Sequence, residues 1–356
     1  MTGLIASLSS PRGSDFALTV DLEVPAETTV ALVGPNGSGK STVVSMLAGT
    51  RRPGDGRIQL NDRILFDSAN SVAVPAESRR IGVMFQDGLL FPRMTVSDNV
   101  AFGPRAAGVR RADAGVLARQ WLEALDVAHL ADRPAGQLSG GESQLVAMAR
   151  AIAVEPELLI LDEPLSALDV GVRARVRRSM TEVLAGFEGS AIVITHDPTE
   201  AFLMADTIVV MEAGRTVQSG SVESLKNHPA SKYVADLVGI NFVEGVATRG
   251  AVDLGTHQLI SADLVATGPV VALVHPRAIS LHGQRPQGSA RNVWESSVAH
   301  VESVDDIVRV VLGGPLTLTA EVTPEGASAA GVMEGAPVWV SIKATEIALR
   351  ETGESR

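Results

Sequence analysis

Cysteine is absent from this chain of 356 residues. The absence excludes disulfides, thiolate metal ligands and cysteine nucleophiles together, and it is consistent with a reducing compartment. Aromatic residues make up only 3% of the sequence, which disfavours binding of nucleic acid by base stacking. The formal net charge of -11 disfavours nucleic acid further, because phosphate contacts need a basic surface.

Long apolar segments are lacking as well. No run approaches the roughly 18 apolar residues of a membrane-spanning helix. Residues 1–15 contain no basic stretch followed by an apolar one, so we expect no secretory signal. The longest apolar runs, such as Leu158–Leu161 and Ala191–Ile194, have the length of buried strands. The sequence therefore predicts a soluble, cytoplasmic chain.

Residues 1–238 alternate short β-branched runs with helical patterns, which predicts an α/β fold with a largely parallel sheet. An amphipathic helix is expected over Ala114–Val127, with Trp121 packed in the core. Apolar residues at consecutive positions indicate strands that are covered on both faces. Such strands are predicted over Thr29–Val33, Leu158–Leu161, Ala191–Thr195 and Thr207–Met211.

Residues 239–356 have a different texture, rich in Val, Thr and Gly, and they predict a second, mainly β domain. This tail contains an internal repeat. Val270–Leu281 aligns without a gap with Val338–Leu349, which indicates two copies of a small β unit joined through residues 283–288. A purely structural β domain would show the same repeat, so the repeat alone assigns no ligand.

A glycine-rich stretch, Gly34–Ser41, fits the phosphate-loop pattern G-x-x-x-x-G-K-[ST]. It follows the predicted strand Thr29–Val33 and precedes a predicted helix over Thr42–Ala48, a setting in which backbone amides point at a bound phosphate. Lys40 is then expected to reach the β- and γ-phosphates, and Ser41 to bind Mg²⁺. A glycine turn that contains Lys-Ser by chance is the alternative.

Two adjacent acids, Asp162 and Glu163, end the apolar run Leu158–Leu161. Ionised groups are costly to bury unless they are paired, so two acids at the end of a buried strand need a reason. The first can hold magnesium while the second polarises a water in line with the γ-phosphate. The alternative is a solvated acidic turn.

Leu138–Gln144, with the sequence LSGGESQ, resembles the signature peptide of the ABC transporter ATPases, and we expect a helix that starts near Gln144. The other motifs of that family match in order. Gln86 resembles the glutamine that senses the γ-phosphate and magnesium, Ser166–Asp169 the loop that crosses the dimer interface, and His196 the switch histidine. Leu89–Gly103 resembles the stretch that meets the coupling helix of a permease.

The resemblance implies a P-loop NTPase domain over residues 1–238 with a helical subdomain at about 88–155. It implies ATP and Mg²⁺ as ligands and a homodimer in which the signature of one subunit closes over the ATP of the other. It also implies integral membrane permease subunits, an indirect extracytoplasmic solute-binding protein, and a place at the cytoplasmic face of the membrane. Nucleic acid is not expected.

The site residues carried over fall into three groups. Catalysis is assigned to Glu163, His196, Gln86 and Lys40, and magnesium to Ser41, Gln86 and Asp162. Nucleotide binding is assigned to Gly34, Pro35, Asn36, Gly37, Ser38, Gly39, Lys40, Ser41, Thr42, Ser139, Gly140, Gly141 and Asp169.

The sequence departs from the family pattern in two places. Glu142 stands where glutamine is usual, and Ser143 where a basic residue is usual, so the rate of hydrolysis could differ. Met1–Asp15 contains no aromatic residue to stack on adenine; Arg12 is a substitute candidate, and Phe16 is expected to pack under the sheet.

The tail resembles the mop-type molybdate-binding domain over about residues 287–352, a small OB-like barrel that binds a tetrahedral oxyanion at subunit interfaces. Carried over by position, the oxyanion contacts are Ser289, Arg291, Thr323 and Lys343. Charge-assisted bonds from Arg and Lys suit molybdate or tungstate. A further hydroxyl of the family falls on Gly326 here.

Three alternatives to a molybdate importer remain open on the sequence. The tail could serve only to dimerise the subunits. The cargo could be sulfate, ferric iron or another small solute. A soluble molybdate-binding regulator or store is the alternative from another class, although Leu89–Gly103 disfavours it because a store has no need of a permease-docking surface.

Overall fold

The structure is a computed structural model that describes residues 3–10, 17–248, 251–255, 257–263, 267–304 and 306–351. The chain divides into two compact units, Met1–Leu225 and Lys226–Arg356. Among the described residues, no helix is both long and apolar enough to cross a membrane.

The first unit contains eleven strands and seven helices with these bounds: β1 Leu4–Ser9, β2 Thr19–Val24, β3 Thr29–Val33, α1 Lys40–Ala48, β4 Asp55–Leu60, β5 Arg63–Asp67, β6 Val72–Ala73, β7 Ile81–Met84, α2 Val96–Ala106, α3 Arg111–Ala124, α4 Gly140–Ile152, β8 Leu158–Asp162, α5 Val170–Ala185, β9 Ser190–Ile194, α6 Pro198–Met204, β10 Thr207–Glu212, β11 Arg215–Gly220 and α7 Val222–Asn227, which ends just beyond the unit; these counts apply to the described part of the chain.

The strands form one sheet in the order β6-β5-β4-β1-β2-β11-β10-β3-β9-β8-β7. Strands β10, β3, β9, β8 and β7 pair in parallel, and β6, β5, β4, β1 and β2 pair antiparallel. The prediction of a largely parallel sheet was therefore wrong for the N-terminal half, where hairpins replace helical crossovers. The prediction of an α/β fold is confirmed.

The parallel strands position the phosphate loop and the acids. Leu32 of β3 pairs with Ile194 of β9, and Ile194 pairs with Asp162 of β8. Because the carboxyl ends of parallel strands meet at one edge of the sheet, the residues that follow β3, β8 and β9 share that edge. All five residues of β3 and of β9 are buried, as the consecutive apolar positions predicted.

Helices α2, α3 and α4 pack against one another, with Val100, Ala118, Leu122 and Met148 in their common core, and α4 packs against β7 and β8. Helix α4 begins at Gly140 rather than near Gln144, because Ser139 caps it and the signature glycines form its first turn. Helix α3 spans Arg111–Ala124, three residues earlier at each end than predicted.

The second unit is mainly β, as predicted. Its elements are α8 Lys232–Val238, β12 Asn241–Thr248, β13 Ala251–Asp253, β14 Gln258–Ile260, β15 Gly268–Val274, β16 Ile279–His282, β17 Asn292–Val304, β18 Ile307–Gly313, β19 Leu318–Val322, α9 Pro324–Ala330, β20 Pro337–Ile342 and β21 Ile347–Glu351. Within the described ranges of this unit they form two five-stranded sheets, in the orders β14-β13-β12-β15-β21 and β19-β18-β17-β20-β16.

The internal repeat corresponds to strands that the two sheets exchange. Each copy is a strand, a 3₁₀ turn and a second strand: β15 to β16 in the first copy and β20 to β21 in the second. Val274 pairs with Ile347, and the repeat-equivalent Ile342 pairs with Ile279. Each copy therefore places its second strand at the edge of the other sheet, an arrangement with approximate twofold symmetry.

Two asparagines occupy equivalent places in this symmetry. Asn241 bonds through its side chain to the main chain of Val274 and Thr319, and Asn292 bonds in the same way to Ile342 and Ile260. Each side-chain amide forms hydrogen bonds with main-chain groups of two neighbouring segments. These bonds hold the two segments together in each symmetry-related half of the unit.

Candidate functional site

The loop between β3 and α1 has the geometry of a phosphate cradle. Gly37 and Gly39 have φ of 79° and 104°, a region that costs other residues strain. A Cβ at Gly34 would lie 2.1 Å from the carbonyl oxygen of Met211, so only glycine fits there. The loop lines a pocket of about 390 Å³. Its lining residues are Ser10, Asn36, Gly37, Gly39, Lys40, Ser41, Thr42, Arg51 and Glu163.

Lys40 is folded back onto the loop. Its Nζ donates to the carbonyl oxygens of Gly34 at 2.8 Å and Pro35 at 3.1 Å, and only 6% of the residue is exposed. Burial lowers the pKa of Lys40, against the opposing charges of Glu163 and Asp162. Burial and then the Glu163 charge raise the pKa of Asp162, against Lys40. The three charges are therefore one electrostatic group.

Glu163 joins this group to His196. Oε1 of Glu163 lies 3.6 Å from Nδ1 of His196, and the histidine side chain is 58% exposed against 19% for the glutamate. Glu163 has φ of 46° and donates its N–H to the carbonyl of Ile194 at 2.9 Å. This conformation is uncommon for a residue with a side chain, and it occurs at the point where the chain leaves β8.

A buried network that the sequence analysis missed surrounds His196. Thr195 donates through Oγ1 to Oε2 of Glu200 at 2.6 Å, and both residues are buried. Burial raises the pKa of Glu200, although Thr195 opposes the shift. Arg173 reaches Asp197 at 3.6 Å and the carbonyl of Leu168 at 3.1 Å. The sequence did contain one signal for this network. Glu200 lies three residues after Asp197, the N-cap of α6, which is the spacing of a capping box.

The turn Ser139–Gly141 lies at the start of α4 and is absent from the lining of the phosphate-loop pocket. Oε2 of Glu142 accepts from the N–H of Ser139 at 2.7 Å, and the N–H of Glu142 donates to Oγ of Ser139 at 3.5 Å, which together make a capping box; the Ser139 hydroxyl also donates to Oε2 at 2.8 Å. The two bonds that Oε2 accepts, the backbone one first, lower the pKa of Glu142. Asp169, the N-cap of α5, is exposed.

Gln86 follows β7, and it too is absent from the pocket lining. Its carbonyl oxygen accepts from Nε2 of Gln144 at 3.2 Å. Lys40 and Glu163 line the pocket, Asp162 interacts electrostatically with both, and His196 lies 3.6 Å from Glu163, although neither Asp162 nor His196 is itself a lining residue. No such contact joins Gln86 or the signature turn to this group among the described residues of this single chain. Arg12 and Phe16 lie outside the described residues.

The oxygen ligands available near Lys40 suit a magnesium ion that arrives bound to a nucleotide. Among the described residues no group of three or more His, Cys, Asp or Glu forms a metal site. Ser41 and Asp162 offer a hydroxyl and a carboxylate, and Mg²⁺ usually combines one or two carboxylates with substrate phosphates. Burial, and after it the charge of Glu163, raise the pKa of Asp162, and a divalent cation bound there would favour the ionised carboxylate.

Three large apolar side chains are exposed between β7 and the end of α2. Leu89, Phe91 and Phe102 are 56%, 38% and 44% exposed, and the two phenyl rings lie 4.7 Å apart. Exposed apolar groups that cluster in this way are typical of a protein contact.

The predicted oxyanion residues are only partly assembled in the tail. Lys343 lines a pocket of about 380 Å³ with His275, Arg277, Ala278, Ser280, Ala290, Ser341 and Glu346. Ser289 and Arg291 flank Ala290, and Arg291 precedes Asn292, which pairs with Ile342. Thr323 instead caps α9 by accepting from the N–H of Gly326 at 3.1 Å, and it is not among the lining residues.

Comparison with known proteins gives matches over both parts of the chain. The model of the ABC transporter family matches residues 18–166, and that of the TOBE domain matches residues 288–349. The molybdenum import ATP-binding protein ModC of Mycobacterium tuberculosis is 37% identical, covering 94% of this chain and 95% of its own. An Fe(3+) ions import ATP-binding protein of Streptomyces avermitilis is 38% identical, covering 82% and 84%.

A solved structure shares the fold of the first unit. It is the ADP conformation of an ATP-binding cassette of an ABC transporter, with a TM-score of 0.56 and 25% identity, covering 67% of this chain and 98% of that one.

Proposed function

Because this chain belongs to the ABC transporter family, as the ATP-hydrolysing subunit of an importer, we propose that it couples hydrolysis of Mg-ATP in a homodimer to uptake of molybdate or tungstate. The observation that carries the motor part is the convergence of Lys40, Asp162, Glu163 and His196 around one glycine cradle. The motor is proposed to occupy residues 1–238, and the β-rich domain residues 239–356.

The cradle is proposed to hold the triphosphate. Asn36–Ser41 supplies amides and the Lys40 ammonium, which exchanges its bonds to Gly34 and Pro35 for phosphate oxygens. Ser41, Asp162 and Gln86 would hold magnesium, which when bound neutralises phosphate charge. Thr42 extends the same helix start.

Glu163 is proposed to orient and deprotonate the attacking water, with His196 holding that water and the γ-phosphate. Their 3.6 Å separation leaves the two groups close without a short bond, so both can turn toward a common water. The uncommon backbone of Glu163 supports this role, because strained conformations concentrate at functional sites.

The second half of the site is proposed to come from the partner. Ser139, Gly140 and Gly141 begin a helix, where amides attract anions, yet they do not line the pocket of their own chain. A head-to-tail dimer would bring this turn and the exposed Asp169 to the other chain's nucleotide. The two motifs are then completed only in pairs.

Membrane partners follow from the importer family. We infer that the chain works at the cytoplasmic face of the membrane, bound to permease subunits through the exposed Leu89, Phe91 and Phe102, and indirectly served by an extracytoplasmic solute-binding protein. The Phe91–Phe102 contact gives that surface a fixed aromatic centre.

Molybdate or tungstate is the proposed cargo. The full-length likeness to a molybdenum import protein supports it, and so does the place of Lys343 and His275 in one tail pocket; Arg277 lines the same pocket but pairs with Glu321 at 3.2 Å, and Glu346 is a lining residue as well. Ser289, Arg291, Thr323 and Lys343 remain the proposed oxyanion contacts. Ferric iron is the second candidate cargo. The iron import protein has about the same sequence identity to this chain as the molybdenum import protein, but the match covers less of the chain.

Uptake in cells tests both parts of the proposal. A strain without this gene should lose uptake of molybdate and keep that of ferric iron and sulfate. The unaltered chain should restore uptake and Glu163→Gln should not, whereas Gln120→Met, at an exposed position of α3, should restore it. Restoration of uptake by Glu163→Gln would refute the proposed role of Glu163 in ATP hydrolysis. Loss of ferric iron uptake instead of molybdate uptake would refute the proposed cargo.

A further inference from the structure

The helix that carries the signature turn also holds the segment that follows Gln86. Besides the bond from Gln144 to Gln86, Arg150 of α4 donates through one terminal nitrogen to the carbonyl of Leu89 at 2.7 Å. Through the other it donates to the carbonyl of Gly88 at 2.8 Å. One helix thus binds this segment at its beginning and at its end.

The segment lies flat against α4 between these two points. Gly88 has φ of 65°, and a Cβ there would lie 3.5 Å from Cβ of Ala147 and 3.7 Å from Oγ of Ser143. Ser143, Ala147 and Arg150 share one helix face by their spacing. All the hydrogen bonds end on main-chain carbonyls, so they fix the path of the backbone.

A glutamine at position 144 costs free energy of folding, because its polar side chain is buried and only partly hydrogen-bonded. The residue is 6% exposed, and its Oε1 has no hydrogen-bond partner among the described residues. An apolar side chain of similar length would fill the space without a buried unsatisfied oxygen. The bond from Nε2 to Gln86 is the gain that offsets this cost.

We propose that Gln144 and Arg150 are positioning residues that make Gln86–Leu89 and the turn Ser139–Gly141 move as one body. The inference rests on the proposed roles of Gln86 and of that turn. A shift of Gln86 toward magnesium and the γ-phosphate then carries the start of α4 with it and orients the turn for the partner's nucleotide. Arg150 extends the same body to Phe91, whose ring centroid lies 5.7 Å from the guanidinium carbon.

The test uses the full chain with Gln144→Met and, separately, Arg150→Lys. Methionine keeps the length and loses the bond, and lysine keeps the charge and cannot reach both carbonyls in fork geometry. The matched controls are Gln120→Met and Arg119→Lys, both at exposed positions of α3. ATP affinity of the monomer, kcat, and the ATP concentration that closes the dimer in a Glu163→Gln background are measured.

Both variants should bind ATP as tightly as the unaltered chain, because Gly34–Ser41 is untouched. They should show about tenfold lower kcat and need about tenfold more ATP to close the dimer, with both controls unchanged. A simple loss of stability would lower ATP affinity as well. Control-like kcat and closure in both variants would overturn the inference.

A double-mutant cycle separates the inference from the function on which it rests. If Gln144 acts through Gln86, then Gln144→Met should add little to Gln86→Ala, whereas independent roles would give additive losses in ln kcat and overturn the inference alone. Unchanged turnover in Gln86→Ala itself would overturn the proposed role of Gln86, and the inference with it.

Discussion

Nδ1 of His196 lies 3.6 Å from Oε1 of Glu163, at the ends of two neighbouring parallel strands. The two residues are far apart in sequence. The register of β8 against β9 places them next to each other. The imidazole is the more exposed of the two groups, and the less exposed carboxylate lines the pocket beside Lys40.

His196→Ala should lower kcat by about a hundredfold and leave ATP affinity nearly unchanged, because His196 is proposed to hold the water that Glu163 deprotonates and a positioned proton transfer contributes at least about that much. Steady-state ATPase assays and equilibrium ATP binding measure the two effects. His300→Ala, at an exposed position of the second unit, is the control. A kcat within a factor of about two of the unaltered chain would contradict the role given to His196.

Glu142→Gln should favour closure of the dimer. The carboxylate of Glu142 is held ionised by its bonds to Ser139, and a negative charge there repels the triphosphate that the turn is proposed to meet. Glutamine keeps the acceptor for the Ser139 N–H, at a cost of about 0.5 kcal/mol in helix-end charge.

The gain from Glu142→Gln is measured as a lower ATP concentration for closure at low salt, and it should shrink at high salt. Glu123→Gln on α3 is the charge-matched control. Equal behaviour of Glu142→Gln and the unaltered chain at low salt would show that this carboxylate does not face nucleotide.

Glu200→Gln should stabilise the chain at neutral pH. Burial raises the folded-state pKa of Glu200, so its contribution to stability is most favourable below the ordinary carboxyl pKa and is lost as pH rises through the raised one. Glutamine keeps the acceptor for Thr195 and removes the ionisation.

Denaturant unfolding at neutral pH and at a pH below the ordinary carboxyl value checks the Glu200 prediction. The advantage of glutamine should be present at neutral pH and should vanish in acid. A variant that is less stable than the unaltered chain at neutral pH would contradict the prediction, since it would mean that the ionised form is preferred.

Lys343→Ala should weaken binding of molybdate to the full chain by about ten- to a hundredfold, because hydrogen bonds to charged groups contribute about 1.5–3 kcal/mol. Isothermal titration with molybdate, tungstate and sulfate measures the effect, and Lys226→Ala, at an exposed position, is the control. Unchanged heat of binding in Lys343→Ala would leave the pocket at His275 and Lys343 without an oxyanion role.

Local patterns predicted the motor because its parts are contiguous in sequence. The strand Thr29–Val33, the loop Gly34–Ser41 and the pair Asp162–Glu163 each carry their own signal in spacing, glycine content or charge. The repeat Val270–Leu281 likewise predicted a duplicated β unit, since aligned apolar positions fold alike.

Tertiary relationships were not available from those patterns. The start of α4 at Gly140 is the exception, because Ser139 and Glu142 fit the local capping-box pattern S-x-x-E and this signal was missed. The exchange of β16 and β21 depends on pairing between copies that are far apart in sequence. Arg173 and Arg150 act on main-chain carbonyls, for which side-chain motifs carry no signal.

The mass of Glu163→Gln saturated with Mg-ATP, determined in solution by light scattering, tests the central claim most directly. The glycine cradle of one chain and the Ser139–Gly141 turn of another are proposed to enclose each nucleotide, so two chains with two bound ATP molecules are expected. Ser139→Phe in the same background should bind ATP as a monomer. A strictly monomeric Glu163→Gln at saturating Mg-ATP would contradict the account.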